Sequence, residues 1–125
     1  MFEAYGEKIW YIPDGYIPPK SSGELISHES ICVLNRSSVD AELSITIFFE
    51  DHEPIDNISA VVPGRRAYHI RTSTLAKDGV SIPAGIPYAI EVMSSIPVIV
   101  QYSRLDSTQA ENTLMSTIAY PIKQS

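Results

Sequence analysis

Between Asp40 and Glu50 the sequence alternates apolar and polar residues with a period of two. Ala41, Leu43, Ile45, Ile47 and Phe49 fall on one side of an extended chain, and Glu42, Ser44, Thr46, Phe48 and Glu50 on the other. Successive strand side chains point to opposite faces, whereas a helix would scatter this pattern around its axis. The segment therefore calls for a sheet with one face on a core and one toward solvent, as antiparallel sheets provide. Phe48 on the polar side implies that part of that face is covered as well.

The rest of the chain agrees. Val, Ile and Thr make up 31 of the 125 residues, and β-branched residues favour the pleated surface. Further strands are expected at Lys8 to Ile12, stopped by Pro13-Asp14-Gly15, and at Ser27 to Leu34, with Ile31 and Val33 on one face. Others are expected at Ile58 to Val62, stopped by Pro63-Gly64, and at Ala67 to Arg71. Tyr88 to Met93 and Pro97 to Leu105 read as a hairpin around Ser94-Ser95-Ile96. Thr113 to Tyr120 reads as one last strand. The only helical signals are single turns at Thr72 to Lys77, with Ser73 or Thr74 as cap, and at Asp106 to Glu111. About eight short strands, with turn signals every ten residues or so, indicate an all-β antiparallel sandwich or jelly-roll. At 125 residues and 13.8 kDa the chain is expected to be a single domain, residues 1–125.

Composition narrows the function classes. Residues 1–62 carry three basic and eleven acidic side chains, net −8, and residues 63–125 carry six basic and four acidic, net +2. The overall charge of −6 argues against non-specific DNA binding, which needs basic surface. Apolar runs are too short to span a membrane. Met1 to Trp10 shows no basic start followed by an apolar block, so a cytoplasmic location is expected. One cysteine, Cys32, forms no internal disulfide. It lies mid-strand among apolar neighbours, as core filling.

No Gly-x-Ser-x-Gly turn and no glycine-rich phosphate loop is present, and no enzymatic activity or cofactor is expected. A metal-dependent jelly-roll enzyme would draw on His28, Glu29, His52 and His69. Adjacent strand residues such as His28 and Glu29 face opposite ways, so no metal is expected. His69 and Arg71 share a strand face and call for an anionic partner, most simply an acidic group of the first half. Arg104 lies in line with Val98, Val100 and Tyr102 and needs a counter-ion if buried, with Asp106 and Glu111 nearest in sequence. Trp10, Tyr11 and Tyr16 offer aromatic faces for packing, for a sugar or for a partner protein.

Several stretches together resemble the sensory rhodopsin transducer family. They are Gly15-Tyr16-Ile17-Pro18-Pro19, Ser27-His28-Glu29 with Cys32-Val33-Leu34-Asn35, and Ile45-Thr46-Ile47-Phe48-Phe49 with Glu53-Pro54. Val62-Pro63 with Arg65-Arg66, His69 and Arg71, and Pro97-Val98-Ile99-Val100-Gln101, continue the likeness. Its most specific part is Ser103-Arg104-Leu105-Asp106-Ser107 with Gln109-Ala110-Glu111-Asn112, closing on Ser116-Thr117-Ile118-Ala119-Tyr120. The resemblance spans about residues 6–120, and is weak at Lys20 to Glu24 and Ala76 to Gly85.

The resemblance implies a cytoplasmic, non-enzymatic β-sandwich that forms a homotetramer. It implies a membrane photoreceptor (a sensory rhodopsin) or a small sugar-like ligand as partner, with DNA binding as the alternative. Carried over by position, the ligand- or partner-binding residues are Trp10, Tyr16, His28, Glu29, Asn35, Arg65, Arg66, His69, Arg71, Gln101, Arg104 and Asp106.

Overall fold

A computed structural model describes residues 1–17, 19, 28–106 and 113–124. The strands are β1 (Glu7–Gly15), β2 (His28–Asn35), β3 (Ala41–Phe49), β4 (Ile55–Val62), β5 (Arg66–Arg71), β6 (Ala76–Lys77), β7 (Val80–Ser81), β8 (Tyr88–Asp106), β9 (Thr113–Ile118) and β10 (Tyr120–Ile122). One 3₁₀ turn, Thr72–Thr74, follows β5. The all-β antiparallel expectation holds. The expected last strand is divided at Ala119, and β4 begins three residues earlier than its apolar pattern suggested.

The hairpin expected at Ser94-Ser95-Ile96 does not form; β8 is one strand of 19 residues. Tight hairpin turns need residues with positive φ, usually Gly, Asn or Asp, and none stands there. Ser94 instead pairs with Leu43 of β3, and the Ser95 hydroxyl accepts the Glu42 N–H at 2.9 Å. Beyond it, β8 changes sheets. Its first half lies between β1 and β3, in the order β10-β1-β8-β3-β4. Its second half lies between β2 and β9, in the order β5-β2-β8-β9. On β1 the partner jumps from Met93, opposite Ile9, to Val98, opposite Glu7. The indole N–H of Trp10 closes this crossing on the carbonyls of Glu7 (2.9 Å) and Val98 (3.1 Å).

The two inner faces make the core. Trp10 and Ile12, Ile31 and Val33, and Leu43, Ile45 and Ile47 are buried with Ile90, Val92, Val98 and Val100. On β3, Ala41, Leu43, Ile45 and Ile47 are buried as the alternation predicts and Phe49 is half-buried; on the other side Phe48 is 37% exposed, and Thr46, at 6%, is the residue that is covered. Ala119 is 3% exposed and donates its N–H to the Val100 carbonyl. There the chain leaves the edge of one sheet (β9) and joins the edge of the other (β10).

Candidate functional site

β2 and β8 run antiparallel with Glu29 directly opposite Arg104 and Ile31 opposite Tyr102. This register sets a carboxylate and a guanidinium side by side on the inner face. Glu29 is 1% exposed. Its Oε2 accepts Arg104 Nε at 2.8 Å and the Tyr16 backbone N–H at 2.8 Å. Its Oε1 accepts the hydroxyl of Tyr88, itself buried. The Tyr88 oxygen lies 2.9 Å from the hydroxyl of the fully buried Thr72. Arg104 Nε also points to the Tyr102 hydroxyl, 3.2 Å away. Gly15 makes room for the cluster, because a Cβ there would stand 2.7 Å from the Tyr88 ring and 3.1 Å from Glu29 Oε1.

The electrostatics are consistent. Burial, reinforced by the hydrogen bond to Glu29, pushes the Tyr88 phenol far above its ordinary value of 10. Burial and then Glu29 do the same to Tyr102. Both phenols therefore stay neutral donors at physiological pH. Among the described residues, Glu29 with Arg104 is the one ion pair.

Arg104 also forms part of the wall of an open cleft of about 470 Å³. Its other lining comes from Tyr11 to Asp14 of β1, Tyr102 of β8, Met115, Thr117 and Ile118 of β9, and Ala119 to Pro121. The cleft exists because β9 and β10 part company at Ala119 and follow different sheets. Its size suits a small organic ligand.

Of the residues singled out from sequence, Glu29, Arg104 and Tyr16 meet in this network, Tyr16 through its backbone. The counter-ion expected for Arg104 among its sequence neighbours is instead Glu29, 75 positions away. The side chain of Asp106 lies outside the described residues, as do the loop at Lys20 to Glu24 and the turn expected after Asp106. His28 is half-buried at the start of β2. Trp10, 4% exposed, offers no face for stacking.

Asn35 serves the β2–β3 turn. Fully buried, it donates to the carbonyls of Val39 (2.8 Å) and Val62 (3.0 Å) and accepts from the N–H and hydroxyl of Ser37. Asn35→Ala leaves these groups unpaired and should cost about 2 kcal/mol in urea unfolding; a loss below about 0.5 kcal/mol would remove this structural role.

His69, Arg71 and Gln101 lie elsewhere, on the outer face of the β5-β2-β8 sheet. His69 and Gln101 flank Cys32, which is half-buried on this outer face and not the core filling its apolar neighbours suggested, and Arg71 stands opposite Ser30. Among the described residues His69 and Arg71 have no acidic partner. Arg65 sits at the other end of β5, its guanidinium 3.6 Å from the centre of the Phe2 ring, and Arg66 is exposed beside it. These arginines do not converge on one patch. Among the described residues no group of three or more His, Cys, Asp and Glu side chains is placed to hold a metal ion. The turn expected over Thr72 to Lys77 forms only at Thr72–Thr74, Ala76–Lys77 being strand β6, and neither Ser73 nor Thr74 caps it; the N-cap position is Arg71.

Tyr88 and Thr72 were not singled out from sequence; Tyr11, which was, lines the β1 side of the cleft, but nothing in the sequence placed it against β9 and β10. Tyr88 shares its strand face with Ile90 and Val92, and that period-two signal could have marked its hydroxyl as a buried donor.

The family model described as Anabaena sensory rhodopsin transducer matches residues 5–121. Two solved structures are similar. The crystal structure of Thermotoga maritima 1070 is 38% identical, with a TM-score of 0.82, covering 96% of this chain and 98% of that one. The structure of the Anabaena sensory rhodopsin transducer is 41% identical, with a TM-score of 0.74, covering 86% of this chain and 96% of that one. No curated protein matches the chain.

Proposed function

The chain belongs to the Anabaena sensory rhodopsin transducer family, and from that premise we propose that it is a non-enzymatic signalling module of the cytoplasm. The observation that carries the reading is the ligand-sized cleft at the β9–β10 divergence, backed by the locked Glu29–Arg104 pair. A small sugar-like ligand occupying the cleft, or a partner protein covering it, is the event the module transmits. The likeness to the Anabaena sensory rhodopsin transducer, 41% identical, supports a membrane photoreceptor as that partner. Among the described residues no helix is long and apolar enough to cross a membrane.

Assembly as a homotetramer fits the surface. Leu34 and Ile99, directly opposite each other on the outer face of β2 and β8 and clear of the cleft, are 43% and 37% exposed. Exposed apolar groups side by side mark association surfaces. Light scattering at micromolar concentration should give four times the mass of 13.8 kDa; a monomer would overturn the assembly.

Thr117→Trp tests the cleft itself. Thr117 is exposed and lines it, so an indole there fills the space without touching the core. A sugar bound at a hundred times its dissociation constant stabilises the native state by about 2.7 kcal/mol, a shift of several degrees for a domain of this size. The variant should abolish such a shift, or the capture of a sensory rhodopsin from detergent-solubilised membranes. A variant that keeps both activities would take the message away from the cleft.

A further inference from the structure

We propose that the cleft binds a small monocarboxylate with an apolar body, its carboxylate seated on the two terminal nitrogens of Arg104. The inference rests on the reading of the cleft as a ligand site and names the chemistry of its occupant.

Arg104 is held by one end. Its Nε is committed to Glu29 Oε2 and lies close to the Tyr102 hydroxyl. Among the described residues no acceptor meets its two Nη atoms, and the side chain remains 25% exposed on the cleft wall. A guanidinium fixed at Nε presents its Nη pair as a planar fork. Such a fork matches the two oxygens of a carboxylate in a bidentate pair.

The orientation is imposed before any ligand arrives. Glu29 is fully buried and tied to Tyr88 and to the Tyr16 N–H. It therefore acts as a positioning residue, out of a ligand's reach, and the fork loses little freedom on binding.

Charge sets the valence. Among the described residues Arg104 is the one cation lining the cleft, and Asp14 lines it as well. Glu29 already balances the guanidinium, so each further negative charge on a ligand adds repulsion from Glu29 and Asp14, and a monocarboxylate brings one such charge where a phosphate dianion brings two. The remaining wall sets the body. Tyr11, Tyr120, Pro13, Pro121, Met115 and Ile118 give flat rings and aliphatic surface, suited to a ring or short chain.

The experiment uses the full chain and pairs of probes differing only in charge: benzoate against benzamide, and hexanoate against hexanamide, with gluconate and glucose alongside. Calorimetric titration and thermal unfolding at millimolar ligand should show binding and a rise of several degrees with an acid but not with its neutral partner. Arg104→Lys keeps the charge and loses the fork, and should weaken the acid at least tenfold. Equal shifts from acid and amide would overturn the proposal, as would undiminished acid binding by Arg104→Lys. Binding by glucose alone, abolished by Thr117→Trp, would overturn the carboxylate assignment and leave the cleft as a small-molecule site. Absence of any shift from all three acids would overturn the assignment without bearing on capture of a protein partner.

Discussion

Arg104→Ala should lower the unfolding free energy by about 3 kcal/mol, measured by urea denaturation at neutral pH. Glu29 is 1% exposed, so deleting the guanidinium leaves a carboxylate out of water with its cation gone. Breaking a buried pair from one side costs about 3–5 kcal/mol. The low end applies because the Tyr88 hydroxyl and Tyr16 N–H remain as donors. Glu29→Gln should cost less, since it removes the buried charge and keeps one acceptor oxygen for the donors around it. The double variant should lose clearly less than the two single losses together, as expected for residues in direct contact. A loss below about 1 kcal/mol for Arg104→Ala, or strict additivity in the cycle, would show that solvent screens this pair and that Glu29 does not anchor the arginine.

That anchor was only half legible in the sequence. The inner-face alignment of Val98, Val100, Tyr102 and Arg104 followed from period-two alternation, and so did the need for a counter-ion. The identity of the counter-ion did not. Strand register pairs residues far apart in the chain, and a search among sequence neighbours cannot reach from position 104 to position 29. Glu29 was legible as the inward member of His28-Glu29 once only one of the two was allowed to face the core. Tyr88 and Thr72 escaped because a hydroxyl among apolar residues reads as ordinary strand composition.

The strands show the same division. β3 was plain because one of its faces is uniformly apolar and the other largely polar. β8 was read as two strands, because a serine pair looks like punctuation. Yet no residue there adopts the positive φ that a tight reversal needs, and the chain changes sheets instead of direction. Conversely, Asp78-Gly79 is a strong local hairpin signal. It makes the small β6–β7 hairpin, with φ values of 53° and 80°, inside a stretch to which no strand had been assigned. The cleft was out of reach of local reasoning altogether, since it depends on β9 and β10 following different sheets.

Stability should fall steeply in alkali, and the slope should come from Tyr88 and Tyr102. Each is 4% exposed, and burial followed by the Glu29 hydrogen bond raises both phenols above their ordinary value of 10. Below pH 10 native and unfolded chains both hold these protons, and the contribution of the pair is fully present. Above pH 10 the unfolded chain releases them while the native chain keeps them, so rising pH stabilises the unfolded state relative to the native one. Each such phenol contributes a slope of about 1.4 kcal/mol per pH unit, about 2.7 for the two. Urea midpoints between pH 8 and pH 11.5 should decline slightly from about pH 9, where unfolded chains release the Cys32 thiol that burial raises in the native state, and drop steeply above pH 10. Tyr88→Phe should cut the alkaline slope roughly in half while lowering stability at neutral pH. A level profile across pH 10 to 11.5 would mean that water reaches these hydroxyls, and that Glu29 is not walled in as its burial indicates. The direction matters for function as well. Because the two phenols stay protonated up to strongly alkaline conditions, neither switches charge in the physiological range. They hold Glu29 in place beside Arg104 as neutral groups across that whole range.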